Sequence, residues 1–153
     1  MKVLIADLFS PAAIDEMKKA GIEVAYNDKL SGETLTAELA KFQPNVLVVR
    51  YTKVVVADID ASAKLQLVVR AGAGTDTINV KYCAKQGIYV ANCPGKNAHA
   101  VSELTIGMML SIDRRMAEGN QMLHDGKWNK GMFAKCLGVK GRTIGLIGCG
   151  AIA

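Results

Sequence analysis

Short apolar runs alternate with helical patterns over the first part of the chain, and this alternation limits the fold more than any other feature. The apolar runs are continuous, branched and short, as buried strands are, and they lie at 2–7, 22–26, 45–49, 65–70 and 88–91. Helical patterns separate them, at 10–20, 31–41, 58–63 and 79–86. Strands joined by single helices with such short connections pair in parallel, with helices on both faces. The chain therefore predicts an α/β fold with one parallel sheet.

Local signals mark the limits of this first domain. Ser10 and Pro11 provide a cap and a first helical position, and Gly21 is a typical helix stop. The segment Asn92-Cys93-Pro94-Gly95 breaks the alternation and indicates a hinge. A flavodoxin-like α/β domain over residues 1–94 accounts for these elements most economically.

A single long helix is predicted after the hinge, from Ala98 to about Met122. Apolar residues recur there at three- and four-residue spacing, and they include Val101, Leu104, Met108, Ile112 and Met116. Such a helix is about 37 Å long at roughly 1.5 Å per residue. That length favours packing against a second domain or subunit, although the same pattern is typical of an ordinary core helix.

A last buried strand is predicted at 143–147, and it leads into Gly148-x-Gly150-x-x-Ala153. In a dinucleotide-binding turn the first glycine permits the tight turn, the second lets the backbone approach a pyrophosphate, and the third position needs a small residue. The helix and the acidic residue that complete this motif would follow Ala153, so an ordinary glycine turn remains the alternative. We expect the chain to be the front part of a larger protein.

Two arginines and a glycine turn are predicted to meet at one edge of the sheet. Arg50 ends the third strand and Arg70 ends the fourth, and Gly72-Ala73-Gly74 follows directly. Ligands of open α/β folds bind at the carboxyl ends of the strands, where exposed N–H groups can hold a carboxylate. Two guanidiniums suit a ligand with a carboxylate and a phosphate. Two surface arginines in unrelated ion pairs are the alternative.

Composition excludes several other classes of protein. The four cysteines form no C-x-x-C pair and no zinc pattern with histidine, so they are predicted to be reduced thiols in the cytoplasm, with no metal. No run of about 18 apolar residues is present, so no membrane partner is predicted. The net charge is +5, and the excess lies in the second half. Those charges are scattered among glycines, which favours a solvated loop and an anionic small molecule over nucleic acid.

Taken together, the motifs resemble those of the D-isomer-specific 2-hydroxyacid dehydrogenases. Six stretches carry the resemblance, in the order and spacing of that family: Val49–Val54, Val69–Asp76, Asn92–Asn97, Ser102–Met108, Gly126–Lys130 and Gly141–Gly150. Each stretch alone is weak, whereas the set is specific and spans the chain. The resemblance implies hydride transfer from C2 of a D-2-hydroxy acid to NAD, with the 2-oxo acid as product, and the two arginines favour a phosphorylated substrate.

The resemblance also implies an organisation and a set of site residues. Residues 1–94 would be a substrate-binding lid domain, and residues 95–153 a hinge, a long helix and the first strand of a Rossmann NAD-binding domain that dimerises through the 98–122 helix. The implied substrate-binding residues are Arg50, Arg70, Gly72, Ala73, Gly74 and Asn97. The implied cofactor-binding residues are Ala73, Gly148, Gly150, Ala151 and Ile152.

Two departures from the family pattern bear on activity. Ala153 stands at the third glycine position, a tolerable change. The catalytic arginine, glutamate and histidine of the family would all follow Ala153, so residues 1–153 are predicted to contain no catalytic residue and to be inactive alone. NAD and NADP are not distinguished. The alternative function is a non-catalytic anion- or NAD-binding module, such as a signalling domain or a corepressor-like scaffold. Arg50 counts against a receiver domain, which has a phosphate-accepting aspartate there.

Overall fold

The computed structural model describes residues 1–153 and divides them into two compact units, Met1–Lys96 and Asn97–Ala153. The boundary lies directly after the predicted hinge. None of the helices has both the length and the apolar character needed to cross a membrane.

The first unit contains a five-stranded, all-parallel sheet with strand order β2-β1-β3-β4-β5. Its strands are β1 (Lys2–Ile5), β2 (Glu23–Tyr26), β3 (Val46–Val49), β4 (Leu67–Arg70) and β5 (Tyr89–Ala91). The predicted α/β fold is confirmed, and the strand order is that of flavodoxin-like folds. In the register of the sheet, Val3 pairs with Val24 on one side and with Val46 on the other.

Four helices connect the strands. They are α1 (Pro11–Lys19), α2 (Glu33–Phe42), α3 (Val56–Asp60) and α4 (Val80–Lys85). Helix α1 begins as predicted, with Ser10 extended at the N-cap and proline at the first helical position, although the Ser10 side chain makes no capping bond. It ends at Lys19, with Ala20 as the C-cap, and Gly21 then takes a positive φ of 78°, a conformation that costs glycine little.

Both faces of the sheet are buried, because successive residues of a strand point to opposite faces. On β1, Leu4 lies in a core with Leu35 and Leu39 of α2, whereas Ile5 lies in a second core with Ile14 of α1. All of these side chains are at most 6% exposed. The continuous apolar strands of the sequence follow from this burial on both sides.

The cysteines differ in accessibility, and this difference can be tested. Cys83 of α4 is buried, whereas Cys93 and Cys149 are exposed. Burial also raises the pKa of the Cys83 thiol, which lowers its reactive thiolate fraction. We expect a thiol reagent to modify Cys93 and Cys149 first and to reach Cys83 only after unfolding, as measured by peptide mass spectrometry. All four should react in denaturant, and modification of native Cys83 as fast as Cys93 would contradict the packing of α4.

The second unit has three helices, and the first two correct the prediction of one long helix. The three are α5 (Ala98–Asp113), α6 (Met116–His124) and α7 (Lys130–Phe133). The single helix predicted over residues 98–122 is wrong, because Arg115 adopts a left-handed conformation with φ of 52° between α5 and α6. A left-handed residue interrupts the helical hydrogen bonding, and its side chain is held by Glu118 and by the Met132 carbonyl. The dimer contact over residues 98–122 stays a prediction, and both α5 and α6 would take part in it.

The predicted buried strand at 143–147 is also wrong. Residues 143–147 form no strand, and their side chains are exposed, with Ile144 61% and Leu146 66% exposed. A strand needs a neighbour to accept and donate its ladder hydrogen bonds, and no segment of residues 97–153 pairs with this one. Apolar, β-branched composition alone is therefore not sufficient to form a strand here.

Candidate functional site

The carboxyl ends of β3 and β4 place the two predicted arginines side by side. In the parallel register, Val49 of β3 pairs with Arg70 of β4, and Arg50 follows Val49 directly. The Nε of Arg70 donates a hydrogen bond to the Arg50 carbonyl oxygen over 3.1 Å. The side chain of one arginine is therefore fixed to the backbone of the other.

Both guanidinium groups keep their charge available to a ligand. The Arg50 guanidinium lies over the ring of Tyr51, 4.9 Å from its centroid, and the Tyr51 side chain is 66% exposed. Neither Arg50 nor Arg70 is part of an ion pair with an acidic side chain. The arrangement therefore presents two unneutralised cations at one edge of the sheet, as an anion-binding site requires.

The glycine turn after β4 leaves two N–H groups without a partner in the chain. The Gly72 carbonyl accepts from the Cys93 N–H over 2.9 Å, and the Ala73 carbonyl accepts from Asn92 Nδ2 over 2.7 Å. The N–H groups of Ala73 and Gly74 make no hydrogen bond within the chain. Because two of its carbonyls already accept hydrogen bonds, the turn is held in place, and its two free N–H groups are donors of the kind that hold a carboxylate or phosphate.

Gly72 makes room for the Arg70 side chain. A Cβ atom at residue 72 would lie 2.5 Å from Arg70 Nη1 and 2.8 Å from its Cζ, so a larger residue there would displace the guanidinium from the turn. On the other side, a Cβ at Gly74 would lie 2.8 Å from Oδ1 of Asp76. An acidic side chain therefore borders the site, and its charge opposes that of a bound anion.

Asp7 is a residue of the site that sequence reasoning missed. Its Oδ2 accepts hydrogen bonds from the backbone N–H groups of Arg50 at 2.6 Å, and of Tyr51 and Thr52 at 3.1 Å each. Its Oδ1 accepts from the Thr52 hydroxyl at 3.1 Å. The available signal was an acidic residue directly after the first strand, because β1 and β3 are neighbours and their carboxyl ends adjoin.

The remaining predicted site residues lie in the second unit. Asn97 is the exposed N-cap residue of α5, and its side chain makes no capping bond. Gly148 has a positive φ of 97°, and no atom lies within 4 Å of a Cβ built on Gly150. The Ile152 carbonyl accepts from Ser102 Oγ over 2.6 Å.

This glycine turn shows only part of the geometry of a pyrophosphate-binding motif. The positive φ of Gly148 is compatible with a tight turn, whereas the open space at Gly150 is shared with most other glycines of the chain. Ala151 and Ile152 form the turn that follows. No strand precedes the turn and no helix follows it in residues 143–153, so the structure shows the glycine geometry of the motif without its flanking elements.

No three histidine, cysteine, aspartate or glutamate side chains come close enough together to hold a metal ion. The site described above consists of guanidinium groups and backbone N–H donors, held beside the Asp7 carboxylate.

Comparisons with known proteins agree on one family. Residues 3–147 match the family model described as D-isomer specific 2-hydroxyacid dehydrogenase, catalytic domain. Over 152 residues the chain is 36% identical to a D-3-phosphoglycerate dehydrogenase of Archaeoglobus fulgidus, in an alignment covering 99% of this chain and 28% of that protein. Over 118 residues it is 43% identical to a hydroxypyruvate reductase of Thermotoga maritima, covering 75% of this chain and 38% of the relative.

A solved structure supports the same relationship. The NAD⁺-bound 3-phosphoglycerate dehydrogenase of Entamoeba histolytica superposes with a TM-score of 0.62 at 34% identity, covering 72% of this chain and 38% of that one. The chain thus spans less than half the length of each of these three proteins.

Proposed function

Because this chain belongs to the D-isomer-specific 2-hydroxyacid dehydrogenases, we propose that its first unit binds the anionic substrate of an NAD-dependent dehydrogenase. The proposed reaction is the oxidation of D-3-phosphoglycerate to 3-phosphohydroxypyruvate, a step of serine biosynthesis. The observation that carries this proposal is the pair of unneutralised arginines, Arg50 and Arg70, beside the free N–H groups of Ala73 and Gly74.

The number of cationic groups favours a phosphorylated substrate. A single carboxylate is satisfied by one guanidinium or by the donors of the turn. D-3-phosphoglycerate carries a carboxylate and a phosphate at opposite ends of a three-carbon chain, so both arginines find an anionic partner. Unphosphorylated acids such as hydroxypyruvate or D-glycerate use only one of them.

The second unit is proposed to begin the NAD-binding domain. The backbone at Gly148, Gly150, Ala151 and Ile152 would hold the pyrophosphate, and Ala73 of the first unit is proposed as a further contact. NAD, when bound, supplies the acceptor for the hydride. The positive φ at Gly148 and the NAD⁺-bound relative support this proposal.

We also propose that the protein is a cytoplasmic homodimer and that Asn97 contacts substrate. Support for the dimer comes from side chains of α5 and α6 that are at least half exposed, including Leu104, Met108, Ile112 and Met116. Apolar surface of this extent on neighbouring helices is typical of an interface.

Binding without turnover is the expected behaviour of residues 1–153. Oxidation of a hydroxy acid needs a base for the hydroxyl proton and a cation beside the developing carbonyl. The first unit, which carries the arginines, contains no histidine, since His99 and His124 lie on α5 and α6. We therefore propose that this chain binds substrate without oxidising it.

Calorimetric titration with D-3-phosphoglycerate and D-glycerate tests the substrate, and NADH absorbance tests turnover. We expect D-3-phosphoglycerate to bind at least about tenfold more tightly, since a charge-assisted hydrogen bond contributes about 1.5–3 kcal/mol. No NADH should form. Equal affinity for the two acids would remove the preference for phosphate, and NADH formation would show that residues 1–153 include a complete catalytic set. NAD binding with no affinity for either acid would favour the non-catalytic module.

A further inference from the structure

A chain of hydrogen bonds links Asp7 to both arginines of the proposed site. The Asp7 carboxylate accepts from three successive N–H groups, those of Arg50, Tyr51 and Thr52. The Arg50 carbonyl in turn accepts from Arg70 Nε, and the Arg70 guanidinium rests against Gly72. The Asp7 carboxylate at the end of β1 thus fixes the Arg50 backbone, to which the Arg70 side chain is hydrogen-bonded.

The loop that begins at Arg50 is next fixed at Val54, whose N–H donates to the Thr77 carbonyl and whose carbonyl accepts from the Asn79 N–H, so the restraint on residues 50–52 comes mainly from Asp7. The three N–H groups that Asp7 accepts from make no other hydrogen bond, and Tyr51 projects into solvent. The Thr52 hydroxyl also reaches the Leu30 carbonyl, at the longer distance of 3.4 Å. Successive N–H groups that converge on one point form a concave donor site for an anion, and here Asp7 of the same chain occupies it.

The charge of Asp7 has the wrong sign for a direct role in binding an anion. A half-buried carboxylate beside an anion site repels the ligand, so electrostatics alone predicts that neutralising Asp7 strengthens binding. If instead the carboxylate sets the position of Arg50 and Arg70, neutralising it weakens binding. The two roles therefore predict changes of opposite direction.

We infer that Asp7 is the positioning residue of the anion site: its carboxylate fixes the Arg50–Thr52 backbone, and through the Arg50 carbonyl it fixes the Arg70 guanidinium. The inference rests on the proposed function for the identity of the ligand and on the hydrogen-bond geometry for the positioning role. Asp7 itself makes no contact with the ligand.

Asp7→Asn in the 153-residue chain tests this role, with Asp28→Asn as the matched control. The amide keeps the size of the side chain, but it loses the charge and one acceptor oxygen. Asp28 follows β2 at the same carboxyl edge and is exposed, so its replacement removes one negative charge without touching the Arg50 loop. Calorimetric titration with D-3-phosphoglycerate gives the affinity, and amide hydrogen exchange gives the protection of Arg50, Tyr51 and Thr52.

We expect Asp7→Asn to bind D-3-phosphoglycerate about tenfold more weakly, with exchange protection lost at residues 50–52 and kept in β1 and β3. The control should bind as well as the unsubstituted chain or slightly better. Unchanged or tighter binding by Asp7→Asn would overturn the inference while leaving the proposed function intact.

Failure of the unsubstituted chain to bind D-3-phosphoglycerate would instead contradict the proposed substrate. In that case the hydrogen-exchange data by themselves test the positioning role of Asp7. Loss of protection at residues 50–52 together with a shifted Arg70 Nε–H resonance supports it, and no change in either overturns it. Because protection in β1 and β3 is measured in the same experiment, a variant that unfolds is distinguished from one that loses the loop.

Discussion

Arg70→Ala should weaken the binding of D-3-phosphoglycerate by about 100-fold, because a charge-assisted hydrogen bond contributes about 1.5–3 kcal/mol. Arg70 is partly buried and is held in place before a ligand arrives, by the Arg50 carbonyl and by the space at Gly72. Little side-chain entropy is therefore lost on binding. Calorimetric titration of the 153-residue chain measures the change.

Two further variants separate the contribution of charge from that of geometry. Arg70→Lys keeps the charge but has no Nε–H for the Arg50 carbonyl. Its affinity for D-3-phosphoglycerate should lie between those of the unsubstituted chain and Arg70→Ala, at roughly tenfold weaker than the unsubstituted chain. Lys53→Ala removes a positive charge from an exposed side chain three residues after Arg50, and it should change affinity less than about threefold. If Lys53→Ala and Arg70→Ala lost affinity equally, the site would be a diffuse positive surface and not a fixed arrangement.

Asp58→Ala should lower the free energy of unfolding of the first unit by about 3 kcal/mol, since a hydrogen bond to a charged group contributes about 1.5–3 kcal/mol and Asp58 accepts two. Asp58 is 0% exposed. Its Oδ1 accepts from Thr36 Oγ1 over 2.6 Å and its Oδ2 accepts from the Val55 N–H over 2.9 Å. A loss of this size is a large part of the stability of an ordinary domain, about 5–15 kcal/mol.

Asp60→Ala on the same helix is the control for Asp58→Ala. Asp60 is exposed and accepts only from the Tyr82 hydroxyl, so its loss should cost at most about 1 kcal/mol. Amide hydrogen exchange of β1 and β3 reports unfolding of this unit specifically. Comparable losses in the two variants would mean that the Asp58 bonds contribute no more than a surface hydrogen bond.

Most of the first unit was predictable from its sequence, because its strands are buried on both faces and their apolar residues are continuous. Leu4 and Ile5 illustrate this, since each enters a different core and both must be apolar. The errors lie where the deciding interaction is not local. Arg115 carries no sequence signal for a left-handed conformation, which arginine adopts rarely, and residues 143–147 have strand composition without a strand to pair with.

The predicted arginines and glycines of the first unit lie together at one edge because parallel strands place their carboxyl ends side by side. Asp7 was missed for a different reason. Its partners at residues 50–52 are more than forty positions away, and a lone acid after a strand is equally consistent with a solvated loop. Once β1 and β3 are known to be neighbours, Asp7 becomes a candidate site residue.

The strand order also governs how the first unit can assemble during synthesis. Three of the four pairings join strands that follow one another in the chain, and only β1 with β3 skips a strand. Contacts between nearby segments form fastest, because closing a short loop loses little entropy. All the strands of the sheet are available for pairing once Ala91 has left the ribosome. The nascent chain can therefore complete its sheet, including the edge that carries both arginines, before residues 97–153 have left the ribosome.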